Sequence, residues 1–235
     1  MSHLKLSEHY VSVQGEGLRT GVLTQFVRFS GCNLRCPGWP CDTPYAIYPE
    51  QYKDDPQVEP NVLLHAIASQ RDSTGANNVC ITGGEPLVQN PRDMSLLVGN
   101  LVVNEFTIDL FTNGTKPLPR WATSQREVSV MMDWKLPGSG ESHNGITYEN
   151  AARLKLTDGI KFVCTDEEDY SLAKQYANEL RYDKKYIGSF WLGVAAGKLK
   201  EQTLIEWMMR DGLGTTFRLN IQTHKFIFPG VDRGV

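Results

Sequence analysis

Short apolar runs of strand type alternate with stretches of helical spacing along most of the chain, and this alternation constrains the fold more than any other feature. Runs bounded by turn residues predict seven strands, at 22–29, 78–81, 106–111, 128–134, 159–164, 187–192 and 216–221. Apolar residues three or four apart predict four helices, at 60–70, 94–101, 172–180 and 204–209. Strands separated by helices form βαβ units with a mostly parallel sheet. We therefore expect an α/β fold whose sheet curls into an incomplete (β/α) barrel.

Length and composition favour one ordinary globular domain covering residues 1–235. Hydrophobic residues make up 40% of the 235 positions, which excludes a disordered chain, and a net charge of −3 gives no reason to expect nucleic acid or an anionic membrane as a partner. Residues 1–17 lack the apolar core of a signal peptide, and no run suits a membrane span, so we expect a cytoplasmic protein. The acidic, proline-containing segment 48–60 predicts an exposed excursion and not a domain boundary.

Three of the five cysteines, Cys32, Cys36 and Cys41, lie within ten residues of one another. One loop can wrap three thiolates around a single centre, and soft thiolates suit either zinc or an iron–sulfur cluster. A closed zinc site needs a fourth ligand, and no other His or Cys lies within twenty residues on either side. A [4Fe–4S] cluster on three cysteines instead leaves one iron open to a substrate or cofactor. The other two cysteines, Cys80 and Cys164, lie in apolar runs and are predicted to be buried.

A Cys-x3-Cys loop after a strand, with a third cysteine close behind, resembles the radical S-adenosylmethionine (SAM) superfamily. More specifically, an ordered set of short strings resembles the 7-carboxy-7-deazaguanine synthases. These strings are QGEG at 14–17, FVR at 26–28, GCNL at 31–34, CDT at 41–43, TGGEP at 82–86, TNGT at 112–115, IKFV at 160–163 and QTHK at 222–225. Their order over most of the chain makes the combination specific.

The resemblance implies an enzyme whose cluster binds SAM at the open iron and cleaves it to a 5'-deoxyadenosyl radical. That radical removes hydrogen from 6-carboxy-5,6,7,8-tetrahydropterin, which loses ammonia and becomes 7-carboxy-7-deazaguanine. The implied cofactors are the [4Fe–4S] cluster, SAM and Mg²⁺. The implied partners are the pterin substrate, a one-electron donor such as flavodoxin, and a second copy of the chain in a homodimer.

The resemblance also assigns roles to individual residues. Cluster ligands are Cys32, Cys36 and Cys41, and Thr43 helps to hold Mg²⁺, although a helix-capping role suits Thr43 equally well. Implied SAM contacts are Thr82, Gly83, Gly84, Glu85, Asn113 and Lys135. Glu85 is alternatively a helix-capping acid. Implied substrate contacts are Gln14, Glu16, Arg28 and His224. The planar guanidinium of Arg28 can grip the substrate's carboxylate with two hydrogen bonds.

Three departures from the family pattern leave alternatives open. Four residues separate Cys36 from Cys41 where radical SAM proteins usually have two, Phe111 stands where the family has an acid, and Gly193-Val194 replace Gln-Pro. An activase that installs a glycyl radical on a partner would share the short radical SAM core. A non-catalytic zinc-binding module would use the same three thiolates.

Overall fold

A single nine-stranded sheet runs through the computed structural model, which describes residues 3–39, 41–231 and 233–235. The strands are β1 (Leu4–Val13), β2 (Leu23–Phe29), β3 (Gln57–Val58), β4 (Asn78–Gly83), β5 (Thr107–Thr112), β6 (Val128–Trp134), β7 (Gly159–Cys164), β8 (Ser189–Val194) and β9 (Phe217–Leu219). Their order across the sheet is β3-β1-β2-β4-β5-β6-β7-β8-β9.

Eight α-helices lie within the described residues. They are α1 (Pro49–Tyr52), α2 (Pro60–Thr74), α3 (Pro91–Val103), α4 (Arg120–Ser124), α5 (Gly145–Ala151), α6 (Glu167–Tyr182), α7 (Glu201–Arg210) and α8 (Thr223–Ile227). Local signals explain several of their ends. The Asn90 side chain caps α3 by accepting from the Arg92 and Asp93 amides, and α2 ends at Gly75, whose φ of 76° suits glycine. Among the described residues, no helix is both long enough and apolar enough to cross a membrane.

The sheet forms an incomplete barrel. From β2 to β9 every neighbouring pair is parallel, while β1 is antiparallel to β2, and β3 is antiparallel to β1. The two ends of the sheet meet through loops: the Gly17 amide donates to Asn220 Oδ1 at 3.0 Å, and the Thr223 amide donates to the Gly15 carbonyl at 3.1 Å. The predicted α/β incomplete-barrel fold is therefore confirmed.

Alternation along the parallel strands separates the hydrophobic core from the barrel interior. In β6, Val130 and Met132 belong to the core, whereas Met131 and Asp133 face the interior. Strand β7 repeats this pattern in its own residues, with core residues on one face and Lys161 on the other. Successive side chains of a strand point to opposite faces, so each strand contributes both to the packing against the helices and to the interior.

The structure confirms all seven predicted strands and all four predicted helices with small shifts at their ends. The prediction missed β1, which supplies ten residues to the sheet edge. The segment 48–60 is mostly exposed as predicted, but it is not free of packed structure. It contains α1 and the edge strand β3, which pairs with the start of β1.

Candidate active site

A cavity opens at the carboxyl ends of the parallel strands, which is where α/β proteins of this kind place their ligands. Thirteen of the fourteen predicted site residues line it; they are Gln14, Glu16, Arg28, Cys32, Cys36, Cys41, Thr43, Thr82, Gly83, Gly84, Asn113, Lys135 and His224. The fourteenth, Glu85, lies behind the cavity wall with no exposed surface. Residues far apart in the sequence thus meet around one space.

The loop that follows β2 contains Cys32, Cys36 and Cys41 and is called the cysteine loop below. It carries their three free thiols into this cavity. All three are partly buried. Burial raises the pKa of the Cys32 thiol, and it raises that of Cys36 to about 11, where the Asp133 carboxylate adds to the effect and Lys135 opposes it. Thiols with raised pKa values hold their protons at neutral pH, so metal binding must release them.

The three thiols have the donor chemistry of an iron–sulfur cluster. Within the described part of the chain, no three side chains of His, Cys, Asp or Glu are close enough together to hold one metal ion. Four ligands around one zinc, each at about 2.3 Å, would draw the sulfur atoms to within about 4 Å of each other. In a [4Fe–4S] cluster each cysteine ligates a different iron, so three cysteines leave one iron without a protein ligand.

The glycine turn, Gly83-Gly84 at the end of β4, packs against the start of the cysteine loop. A Cβ atom on Gly83, whose φ is 143°, would lie 2.0 Å from the Phe29 carbonyl oxygen, and one on Gly84 would lie 2.3 Å from that of Gly31. The Gly84 amide donates to the Phe29 carbonyl at 3.0 Å. Glycine at these two positions therefore allows two backbone segments to pack closely together, and both glycines also line the cavity.

Glu85 organises the wall of the cavity from behind. Its Oε1 accepts from the Thr112 hydroxyl at 2.8 Å and from the Leu87 amide at 3.0 Å, and its Oε2 accepts from the Asn113 amide at 2.6 Å. The contact with the Leu87 amide is the capping role that the sequence left open. Burial raises the pKa of Glu85, while these donors oppose the rise. Both carboxylate oxygens of Glu85 thus accept hydrogen bonds from the protein, and these bonds hold the loop after β5 in place.

Asn113 joins the loop after β5 to the cysteine loop. Its Nδ2 donates to Asn33 Oδ1 at 3.2 Å and lies 3.9 Å from Cys32 Sγ, and its Oδ1 accepts from the Thr115 amide at 3.0 Å. Because Cys32 also receives the Leu34 amide at 3.4 Å, its sulfur lies among N–H donors. Such donors stabilise a thiolate, and they tune a cluster that the thiolate binds.

Four charged, largely buried side chains are linked by ion pairs across the floor of the cavity. Lys161 Nζ lies 2.8 Å from Glu16 Oε2 and 3.2 Å from Asp133 Oδ1, and Lys135 Nζ lies 3.1 Å from Asp133 Oδ2. Glu16 also accepts from Asn220 Nδ2 at 3.1 Å and from Gln222 Nε2 at 2.8 Å. With side chains only 14% and 12% exposed, Glu16 and Lys161 need this pairing, because an isolated buried charge is costly.

At each of these four groups, the charged and hydrogen-bonding neighbours shift the pKa more than burial does. Burial alone would raise the pKa of Glu16, but the Lys161 ammonium and the two amide donors bring it down to about 2. Burial alone would lower the pKa values of both lysines, yet their carboxylate neighbours raise them. The pKa of Asp133 falls for the corresponding reason, because Lys135 and Lys161 outweigh its burial. All four groups are therefore ionised at neutral pH.

The low pKa of Glu16 predicts how this group contributes to stability as the pH changes. Since the folded-state pKa lies below the usual 4.5, ionised Glu16 stabilises the fold above pH 4.5, and that contribution is lost as the pH falls toward about 2. We expect Glu16→Gln to unfold more easily than the parent at neutral pH, with the difference shrinking over that window. Urea unfolding of both proteins at a series of pH values measures it, and a difference that stays constant would contradict the pairing.

Arg28 is already engaged within the protein. It lies opposite Glu8 in the β1–β2 register, its Nε donates to Glu8 Oε2 at 2.8 Å, and its Nη2 donates to the Tyr10 hydroxyl at 3.2 Å. Two of its five N–H donors are thus in use, and the three that remain on Nη1 and Nη2 are available to a substrate carboxylate. The two-hydrogen-bond grip expected from the sequence stays a prediction.

Gln14 and His224 line the cavity near Glu16. The Gln14 Nε2 group lies near the Cys80 thiol and the Asp109 carboxylate without a well-formed hydrogen bond to either. The His224 ring packs against Gly15, and burial lowers its pKa, so the imidazole is neutral at neutral pH. Both residues keep hydrogen-bonding capacity for a ligand. Cys80 is buried as predicted, but it faces the cavity, whereas Cys164 belongs to the core.

The end of the cysteine loop is tied to the C-terminal part of the chain. Gln222 Nε2 donates both to Glu16 and, at 3.0 Å, to Asp42 Oδ2, and Lys225 Nζ donates to Asp42 Oδ1 at 3.0 Å. Thr43 Oγ1 lies 3.7 Å from Cys41 Sγ, and the Thr43 side chain makes no capping hydrogen bond to the short turn that follows it. Its hydroxyl therefore remains available as an oxygen ligand.

Several residues of this site were not assigned a role from the sequence. Lys161 belongs to one of the recognised strings, and Asp133 precedes the predicted contact Lys135, but the sequence alone does not pair them. The sequence signal that could have found both residues is a charged side chain within an otherwise apolar predicted strand. Glu8 and Tyr10 lie on the missed strand β1, and Gln222 lies in the recognised string near the end of the chain.

Comparison with known proteins supports an iron–sulfur cluster site and the family resemblance found in the sequence. Residues 13–116 match the family model described as a 4Fe-4S single cluster domain. A 7-carboxy-7-deazaguanine synthase from Leptospira interrogans is 35% identical over 254 aligned residues, which cover 100% of both chains. The fold resembles the crystal structure of QueE from Escherichia coli, with a TM-score of 0.68 and 22% identity over 94% of each chain. It also resembles Streptococcus suis SuiB bound to S-adenosylmethionine, with a TM-score of 0.56 and 14% identity over 84% of this chain and 48% of that one. At such identities the two structures show a shared fold and no more, whereas the full-length sequence match establishes that this chain belongs to the 7-carboxy-7-deazaguanine synthase family.

Proposed function

We propose that the chain is a radical SAM carbon–nitrogen lyase that converts 6-carboxy-5,6,7,8-tetrahydropterin to 7-carboxy-7-deazaguanine with loss of ammonia. The observation that carries the proposal is the convergence of three free thiols and a paired carboxylate on one cavity, in a chain of this family. The product differs from the substrate by one ammonia, so the overall conversion needs no net oxidant.

In this proposal Cys32, Cys36 and Cys41 hold a [4Fe–4S] cluster. Their donor chemistry fits, since thiolates are the usual ligands of such clusters. When bound, the cluster and SAM supply one-electron chemistry that generates a 5'-deoxyadenosyl radical. The protein's own contribution is to place the ligands, exclude water and fix the charge around them. The partial burial of the thiols and the N–H donors around Cys32 serve that purpose.

We assign the SAM contacts to the cavity wall beside the cysteine loop. Thr82, Gly83, Gly84 and Asn113 line that wall, and Lys135 brings a cation close to Cys36 that would suit the carboxylate of SAM. Glu85 acts there as a positioning residue, because its carboxylate holds the Thr112 hydroxyl and the Asn113 amide.

The substrate contacts are assigned to the other side of the cavity. Glu16 is held ionised by Lys161, so its carboxylate accepts hydrogen bonds from the N–H groups at the amide-like edge of a pterin. Gln14 and His224 offer further polar atoms, and Arg28 offers positive charge to the carboxylate of the substrate. Substrate selection in this arrangement rests on fixed charges in a largely buried site, where hydrogen bonds to charged groups count for more than in water.

Further parts of the proposal concern groups beyond the cavity wall. Thr43 would supply a hydroxyl ligand to Mg²⁺, a cation that prefers oxygen ligands. A one-electron donor such as flavodoxin reduces the cluster, and the chain works as a homodimer. The continuous nine-stranded sheet supports one domain over residues 1–235.

Anaerobic reconstitution followed by product analysis tests this function. We expect a brown protein with about four iron and four sulfide per chain, which with SAM, a reductant and the pterin yields 7-carboxy-7-deazaguanine by mass spectrometry. SAM cleavage without the deazapurine acid would contradict the proposal and indicate an activase. Colourless protein with one bound zinc would indicate a zinc-binding module.

A further inference from the structure

Two loops that are distant in sequence are joined where the cysteine loop leaves the cavity. The Gly38 amide donates to the Ser139 carbonyl at 3.0 Å. A Cβ atom on Gly38 would lie only 1.9 Å from the Gly138 carbonyl oxygen, and one on Gly140 would lie 2.5 Å from Pro37 Cγ. Pro37 and Gly38, in the unusual four-residue gap between Cys36 and Cys41, therefore pack directly on the loop that follows β6.

Glu141 extends this contact to the residues around Cys36. Its Oε1 accepts from the Arg35 amide at 2.7 Å and lies 3.4 Å from the Cys36 amide. Cys36 has a φ of 44°, a left-handed conformation that is rare for a residue with a side chain and costs energy unless its surroundings hold it. Glu141 is the side chain that holds both amide groups at this strained point.

The loop that carries Glu141 is itself anchored to the core. The Gly138 amide donates to Asp169 Oδ1 at 3.0 Å, and Asp169, at the start of α6, is almost completely buried. The Ser139 hydroxyl donates to the Leu136 carbonyl at 2.7 Å and accepts from the Glu141 amide at 3.1 Å. The loop that carries the Glu141 carboxylate is thus held in place by hydrogen bonds, one of them to a buried residue.

We propose that Glu141 is a positioning residue that holds Cys36 in place for cluster binding and adds a negative charge close to the cluster. The proposal rests on the proposed function, because it takes Cys36 as a cluster ligand. Glu141 is not part of the cavity lining, so it acts through the cysteine loop and not on SAM or substrate. A carboxylate that accepts backbone N–H groups forms a charge-assisted hydrogen bond, which is stronger than a neutral one.

Two variants separate the hydrogen bond from the charge. Glu141→Ala removes both, whereas Glu141→Gln keeps an oxygen acceptor and removes the charge. Glu149→Ala is the matched control, because Glu149 is exposed, lies on the nearby helix α5, and has no side-chain hydrogen bond within the described residues. Circular dichroism and thermal unfolding confirm that each variant folds.

The first readout uses the protein before cluster assembly. In Glu141→Ala, hydrogen exchange of the amides of Arg35 and Cys36 should accelerate about tenfold, as expected for loss of a hydrogen bond to a charged group. In Glu149→Ala it should not change. Unchanged exchange in Glu141→Ala would overturn the proposed contact.

The second readout uses the reconstituted protein. Loss of cluster absorbance to an iron chelator should be about tenfold faster in Glu141→Ala than in the parent. In Glu141→Gln the loss should be slower than in the alanine variant, and the reduction potential should rise, because a negative charge near the cluster is gone. Cluster loss at the parental rate in Glu141→Ala would overturn the inference alone, whereas a parent chain that assembles no cluster would overturn the proposed function.

Discussion

Cys36→Ala is expected to abolish both assembly of a stable cluster and cleavage of SAM. Cys36 is one of the three thiols that the cysteine loop brings to the cavity, and no other cysteine lies in the described part of that loop to replace it. The two remaining thiols would leave a second iron without a protein ligand, and an under-ligated cluster is lost or degraded. We expect little iron after anaerobic reconstitution and no 5'-deoxyadenosine in the assay with SAM and a reductant.

Cys164→Ala provides the matched control for this experiment. Cys164 is a free thiol in the hydrophobic core, remote from the cavity lining, so its loss removes a cysteine without removing a ligand. The variant should lose a modest amount of stability, as large-to-small core substitutions do, and keep its iron and its SAM cleavage. SAM cleavage at the parental rate in Cys36→Ala would show that the cluster ligands are assigned wrongly.

Lys161→Met is expected to lower the free energy of unfolding by about 3–5 kcal/mol at neutral pH, because breaking a buried ion pair leaves charges uncompensated. Lys161 is shared by Glu16 and Asp133, and only Asp133 has a second cation, Lys135, at hand. Protonation of Glu16 can relieve part of the cost, so the deficit should shrink as the pH falls. Chemical unfolding monitored by circular dichroism at several pH values measures both effects.

Lys174→Met tests whether the effect depends on burial. Lys174 pairs with Asp211 near the protein surface, and ion pairs of this kind contribute about 1 kcal/mol or less. The control should therefore lose much less stability than Lys161→Met. Similar losses in the two variants would contradict the view that the charges on the cavity floor are buried and interdependent.

The parallel part of the fold is predictable from sequence because each strand carries its own local signal. Strands β4 to β8 are buried on the helix side, and apolar residues dominate them, so their runs stand out. Strand β1 has no such signal. It mixes Lys, Ser, Glu and His, most of its side chains are only half-buried, and its stability comes from pairing with β2, which local periodicity does not report.

The membership of the site is predictable for a similar reason, but the bonding within it is not. Parallel strands end at one edge, so residues just past those ends must meet there, and the glycine turn and the cysteine loop do so. What each side chain bonds to depends on tertiary contacts. Arg28 is paired with Glu8 because of the missed strand, and Glu85 is turned away from the cavity by three donors that its own neighbourhood supplies.

A crystal structure of the anaerobically reconstituted protein with SAM tests the central claim most directly. The account predicts a [4Fe–4S] cluster bound by Cys32, Cys36 and Cys41, with the fourth iron contacted by SAM and by no protein side chain. A fourth protein ligand on the cluster, or a single zinc ion bound to these thiols, would contradict it.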